Sequence, residues 1–103
     1  MIQKEYRFKQ SEEKTIEKVI MDQYVNYLHM IFPMGEGLPV HPSNANLYMT
    51  VIRGTLSISL NDQPVMEYGA GSVLHIPIRT TMNVRNLHPK VLELIVVKTP
   101  IPE

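Results

Sequence analysis

Alternation of apolar and polar residues divides the chain into short extended segments. In TLSISL (55–60), Leu56, Ile58 and Leu60 alternate with Ser57 and Ser59, the period of two of a strand with one buried face. YVNYLHMIF (24–32), LYMTVIRG (47–54), VMEY (65–68), SVLHIPI (72–78), MNVRN (82–86) and VLELIVVK (91–98) read as further strands. Turn residues bound them: Asp22-Gln23, Asn61 to Pro64, Gly69 to Gly71, and Asn86 to Pro89, with Gly54 marking a sharp bend. Pro33 to Pro42 holds three Pro and two Gly and reads as a loop crossing, and Pro100 and Pro102 end the fold.

SEEKTIEKVI (11–20) has two readings. Ser11 suits a helix N-cap, Glu12 and Glu13 suit its first turn, and Ile16, Val19 and Ile20 fall at helical spacing. Thr15, Ile16, Val19 and Ile20 are β-branched, which favours a strand over 15–21 instead. VLELIVV (91–97) is apolar on both faces except at Glu93. A sandwich has one interior, so such a strand is covered outside either by a second subunit, giving a homodimer, or by a loop over a central strand.

Composition strengthens the all-β reading. Ten Val and ten Ile stand against two Ala, and β-branched side chains pack better on pleated sheets than on helices. Eight or so short strands with regular turns mean a sandwich or small barrel. A chain of 103 residues is one domain.

Charge and cysteine content narrow the chemistry. Ten basic and ten acidic residues give a net charge of zero, which removes the electrostatic reason to expect nucleic acid or an anionic membrane. With no Cys, disulfides, zinc–thiolate sites and thiol nucleophiles are excluded. MIQKEYRFKQ (1–10) has no apolar leader run, and no stretch approaches a membrane span, so a soluble cytoplasmic domain is expected.

Two segments together resemble the cupin family. In GEGLPVHPSNANLYMTVIRG (35–54), Gly35, five residues and His41 follow the family's first motif, and Gly54 falls at its closing glycine. In GSVLHIPIRTTMNVRN (71–86), Gly71, Pro77 and Asn86 fall at matching positions of the second motif. Arg79 stands where that motif has Gly. The resemblance covers about residues 18–98 and implies a jelly-roll barrel of two packed sheets (a double-stranded β-helix), often dimeric.

The family's metal is held by two His, a Glu and a third His. Carried over to this chain, those positions are His41, Ser43, Leu47 and Met82. One imidazole and one hydroxyl offer too few donors for a first-row divalent metal. The other histidines are His29, His75 and His88; a metal-dependent dioxygenase or isomerase would have to keep His41 and recruit donors from His29, His75 or water, with His29 approaching His41 only if it faces inward. As strand or turn residues, these three have an ordinary surface or interface role as the alternative.

If the motif faces line the barrel, its interior combines Leu47, Met49, Met82 and Val84 with a sparse polar rim of His41, Ser43 and Asn46. Such a pocket suits a small, mostly apolar organic ligand. Met and Leu are also adaptable fillers that could close it. Arg79 near the mouth either clamps a carboxylate or phosphate, or is solvated. Asn44 and Asn46 equally serve turns.

Overall fold

A computed structural model describes residues 1–99; the expected terminating role of Pro100 and Pro102 lies outside the described residues. Nine strands form: β1 (Thr15–Met21), β2 (Asn26–Phe32), β3 (His41–Pro42), β4 (Leu47–Arg53), β5 (Thr55–Leu60), β6 (Met66–Gly69), β7 (Val73–Ile76), β8 (Thr81–Arg85) and β9 (Leu92–Lys98). No helix occurs among the described residues. The helical option at 11–20 therefore gives way to β1, whose β-branched residues pair with β2.

Two antiparallel sheets pack face to face, with strand orders β1-β2-β9-β4-β7 and β3-β8-β5-β6. This is the jelly-roll architecture expected from the motifs. Leu28, Met30 and Phe32 of β2, Leu47, Met49 and Val51 of β4, and Leu92, Leu94 and Val96 of β9 point inward to one core. They meet Leu56, Ile58, Met82 and Val84 from the opposite sheet. Burial of these side chains supplies the main folding drive, about 1.5–3 kcal/mol for each fully buried one.

Two departures from the sequence pattern have local causes. Strand β7 stops at Ile76 rather than running to residue 78, because Pro77 has no N–H to donate. Strand β3 interrupts the Pro-rich loop: His41 and Pro42 pair with Met82 and Thr81 of β8. At Gly54 the chain crosses from one sheet to the other with φ of 81°. A Cβ there would lie 2.3 Å from the Val91 carbonyl oxygen, so only glycine fits the bend.

β9 is the middle strand of its sheet. Its outer face carries Glu93 and Ile95, both buried. Cover comes from the N-terminal segment: Phe8 stacks on His29 of β2 at a centroid distance of 4.1 Å, and the Ser11 carbonyl accepts from Arg53. The protein's own chain thus lies over part of that outer face, at His29 and Arg53 on the strands either side of β9.

Candidate ligand cavity

A cavity of about 200 Å³ opens inside the barrel. Its walls are Leu28 and Met30 of β2, Leu47 and Met49 of β4, Met82 of β8 and Val96 of β9. Ile16, Leu38, His41 and Lys98, none of them fully buried, complete the lining at its mouth. Register explains the inward set. Leu47 and Met49 share a face by the two-residue period, and their β9 partners are Lys98 and Val96. Opposite them, β8 offers Met82 next to His41 across the β3–β8 pair.

The expected site residues divide into two groups. His41, Leu47, Met49 and Met82 come together around the cavity. Val84 is fully buried in the core beyond it. Ser43 is buried too, but its hydroxyl donates to the Pro77 carbonyl at 2.7 Å and accepts from the Thr80 N–H at 3.0 Å. Asn46 Oδ1 accepts from the Ile78 N–H at 2.9 Å. Both polar side chains thus fasten the 77–80 turn to the β3–β4 connection rather than forming a rim. Arg79 sits exposed at the tip of that turn with φ of 67°, the left-handed conformation a glycine adopts without strain.

At the mouth, His41 Nδ1 lies 2.8 Å from the Pro39 carbonyl oxygen, which fixes Nδ1 as the donor and leaves Nε2 as the free ring nitrogen. Lys98, unremarked in the sequence, donates from Nζ to Asn44 Oδ1 at 3.1 Å. Burial and then the like charge of Lys18 hold the Lys98 ammonium below its ordinary pKa. Alternation along 92–98 puts Lys98 on the same face as Leu92, Leu94 and Val96, which is the signal in the sequence for its place at the cavity.

The residues present do not fit the family's metal. Ser43 Oγ is occupied by two backbone groups, Leu47 has no donor, and a single imidazole with a thioether does not hold a hard divalent ion. Among the described residues no group of three or more His, Asp or Glu is arranged to hold one.

His29 faces outward, away from His41, and so cannot be recruited. It is fully buried between two carboxylates: Nδ1 is 2.7 Å from Glu17 Oε1 and Nε2 is 2.5 Å from Glu93 Oε2. Arg53 extends the chain of contacts, with Nε donating to Glu93 at 2.8 Å and Nη1 bridging both oxygens of Glu12. Burial opposes ionisation of Glu93, but the hydrogen bonds from His29 and Arg53 overcome it and hold the carboxyl below its ordinary range. Glu17 behaves alike: burial opposes its ionisation, and the Lys9 N–H and His29 outweigh it. His75 is exposed and lies against Tyr48 at 5.1 Å, while His88 pairs with Glu67. None of the three reaches the cavity.

Among the described residues no helix is long and apolar enough to cross a membrane. No family model matches the sequence. An uncharacterised protein of Methanocaldococcus jannaschii is 34% identical over 104 residues, covering 100% of this chain and 90% of the relative. The crystal structure of an RmlC-like cupin from that organism, with a double-stranded β-helix fold, superposes with a TM-score of 0.94 at 34% identity, over 97% of this chain and 93% of the other. An RmlC-like cupin of Desulfovibrio desulfuricans superposes with a TM-score of 0.70 at 27% identity, over 85% and 84% of the two chains. Fold, motif positions and this similarity over the whole length agree, and the chain belongs to the RmlC-like cupin family.

Proposed function

We propose that this protein binds a small organic molecule in its barrel without the metal its family commonly uses. One observation carries the reading: a cavity of about 200 Å³ with an almost wholly apolar wall and two basic side chains at its mouth. Small-molecule sites are built in this way, with an apolar body and a few polar groups that orient the ligand. At the metal position the same cavity offers only His41.

The test is a thermal-shift screen of small organic compounds on protein purified without chelator, paired with metal analysis. Compounds that occupy the cavity raise the melting temperature by mass action and move NMR resonances of β4, β8 and β9. The metal content stays far below one ion per chain after incubation with Fe(II), Mn(II), Zn(II) or Ni(II). Stoichiometric metal lost on His41→Ala would overturn the reading in favour of a metalloenzyme.

We also propose that two copies associate through the outer face of the larger sheet. Tyr48 and Val73 lie exposed there beyond the cover of the N-terminal segment, and a chain of zero net charge does not repel its copy. Sedimentation equilibrium checks this: Tyr48→Lys with Val73→Lys gives a monomer if this face is the contact.

A further inference from the structure

The geometry points to an anionic ligand: a small carboxylate with an apolar body, its head held by Lys98 at the mouth and its body among Leu28, Met30, Met49 and Met82. This rests on the ligand-binding reading above and specifies the chemistry of the ligand. Three observations converge on it.

Lys98 is an inward-facing residue, because its β4 partner is Leu47 and it continues the Leu92, Leu94, Val96 series of β9. An ammonium is therefore placed at an otherwise apolar cavity. Arg53, the half-buried cation on the other face of the same sheet, meets the carboxylates of Glu12 and Glu93. Lys98 makes no such pair among the described residues; its side-chain partner is the neutral Asn44 amide. A half-buried charge without a counter-charge loses hydration and gains little in return, so an arriving anion is favoured twice, by attraction and by relief of that cost.

Lys18 adds to the same field. It lies on β1 opposite Leu28, one of the cavity residues, and its charge opposes that of Lys98. Like charges that act on each other are mutually destabilising, and an anion bound at Lys98 relieves that repulsion. The acidic residues nearest in sequence on β1 and β9, Glu17 and Glu93, are on the opposite face, engaged with His29 and Arg53. They do not neutralise the mouth.

Size sets the rest. A volume of about 200 Å³ takes roughly seven water-sized groups, which matches a monocarboxylate of about six to eight carbons. A larger acid leaves its tail outside, and a shorter one leaves apolar wall uncovered.

Three six-carbon probes that differ in their head group decide the matter by calorimetry and NMR titration: hexanoate, 1-hexanol and hexylamine. Hexanoate is expected to bind about ten- to a hundredfold more tightly than 1-hexanol, the worth of one hydrogen bond to a charged group, and hexylamine more weakly than either. Lys98→Met keeps the chain length and removes the charge. It should bring hexanoate down to the level of 1-hexanol while leaving 1-hexanol binding in place and raising, not lowering, the melting temperature of the free protein, since an uncompensated charge is removed. Lys98→Arg should retain the preference. If hexanoate and 1-hexanol bind equally to the unaltered protein, the cavity stands and the anionic head is wrong. If hexylamine binds best, the assignment of charge is reversed and the inference fails. If none of the three, nor any neutral compound, perturbs the cavity residues, the ligand-binding reading itself falls with it.

Discussion

Arg53 and Glu93 face each other across the β4–β9 ladder on the outer side of the sheet, with Nε 2.8 Å from Oε1. Simple alternation would send Arg53 inward with Val51, into the core. A register shift between Val51 and Arg53 adds one residue, Ile52, and turns the guanidinium to the opposite face. There it joins Glu93 to Glu12 and to the Ser11 carbonyl, so one bulge anchors the N-terminal segment over the central strand. The network it completes is satisfied throughout, since no buried side-chain nitrogen or oxygen among the described residues lacks a partner.

That network makes stability depend on pH in a defined direction. Glu17 and Glu93 both titrate below the ordinary 4.5 when folded. Groups whose pKa is lowered by folding stabilise fully above their unfolded value and lose that contribution as pH falls through the folded one. Unfolding free energy from urea titrations should hold level above about pH 5 and decline below about 4.5. Glu93→Gln should start lower at pH 6 and decline less steeply. An equally steep decline in that variant would remove Glu93 from the account.

Removing the imidazole from the same network tests its burial. His29→Ala leaves two carboxylates facing each other across a vacated site, and should cost about 3 kcal/mol or more. Since His29 points to the other face of β2 from the cavity residues Leu28 and Met30, binding of a cavity ligand should persist in whatever fraction remains folded. Equilibrium unfolding and a ligand titration on the same sample separate the two effects.

Phe8 reports on the N-terminal cover. Its ring lies over His29 with an interplanar angle of 27°, and Phe8→Ala should destabilise by about 1 kcal/mol, a fall in melting temperature of about 4–8 °C. Amide exchange should accelerate at Lys9, whose N–H is bonded to Glu17, and leave β5 and β8 unchanged.

Asn86 is a structural residue of the second motif. It is fully buried, donating from Nδ2 to the Phe32 and Lys90 carbonyls at 2.8 Å each and accepting the His88 N–H at 2.9 Å. Asn86→Ala strands at least one buried carbonyl and should cost about 2–3 kcal/mol, with the affinity for a cavity ligand unaltered. A loss of affinity at unchanged stability would place Asn86 in the binding site instead.

At Arg79 the direction reverses. Its φ of 67° costs an ordinary residue about 1–2 kcal/mol, so Arg79→Gly should raise stability by roughly 1 kcal/mol after glycine's extra chain entropy is deducted. A fall in stability on this change would mean that the guanidinium makes contacts that outweigh the backbone strain.

His41 apart, the motif residues that survive in this chain include ones the backbone requires. Gly54 is needed where no Cβ fits, and Asn86 is needed to close the ends of β2 and β8. Such residues are legible one at a time, because each answers a local demand of the fold. Alternation gave the strands for the same reason: a side chain's face depends on its immediate neighbours. Ser43 and Asn46 look identical in sequence whether they rim a cavity or bind a turn, and only the approach of residues 77–80 decides between these uses.

What the residues determined by themselves was the all-β class, the positions of most strands though not of β3, and the poverty of metal donors, all of which follow from short-range pattern and side-chain chemistry. The tertiary structure alone decided which face His29 occupies, that a bulge returns Arg53 to Glu93, and that Lys98 stands at the cavity mouth. Those outcomes depend on register and on contacts between residues as far apart as His29 and Glu93, and a shift of one position in a ladder reverses each of them.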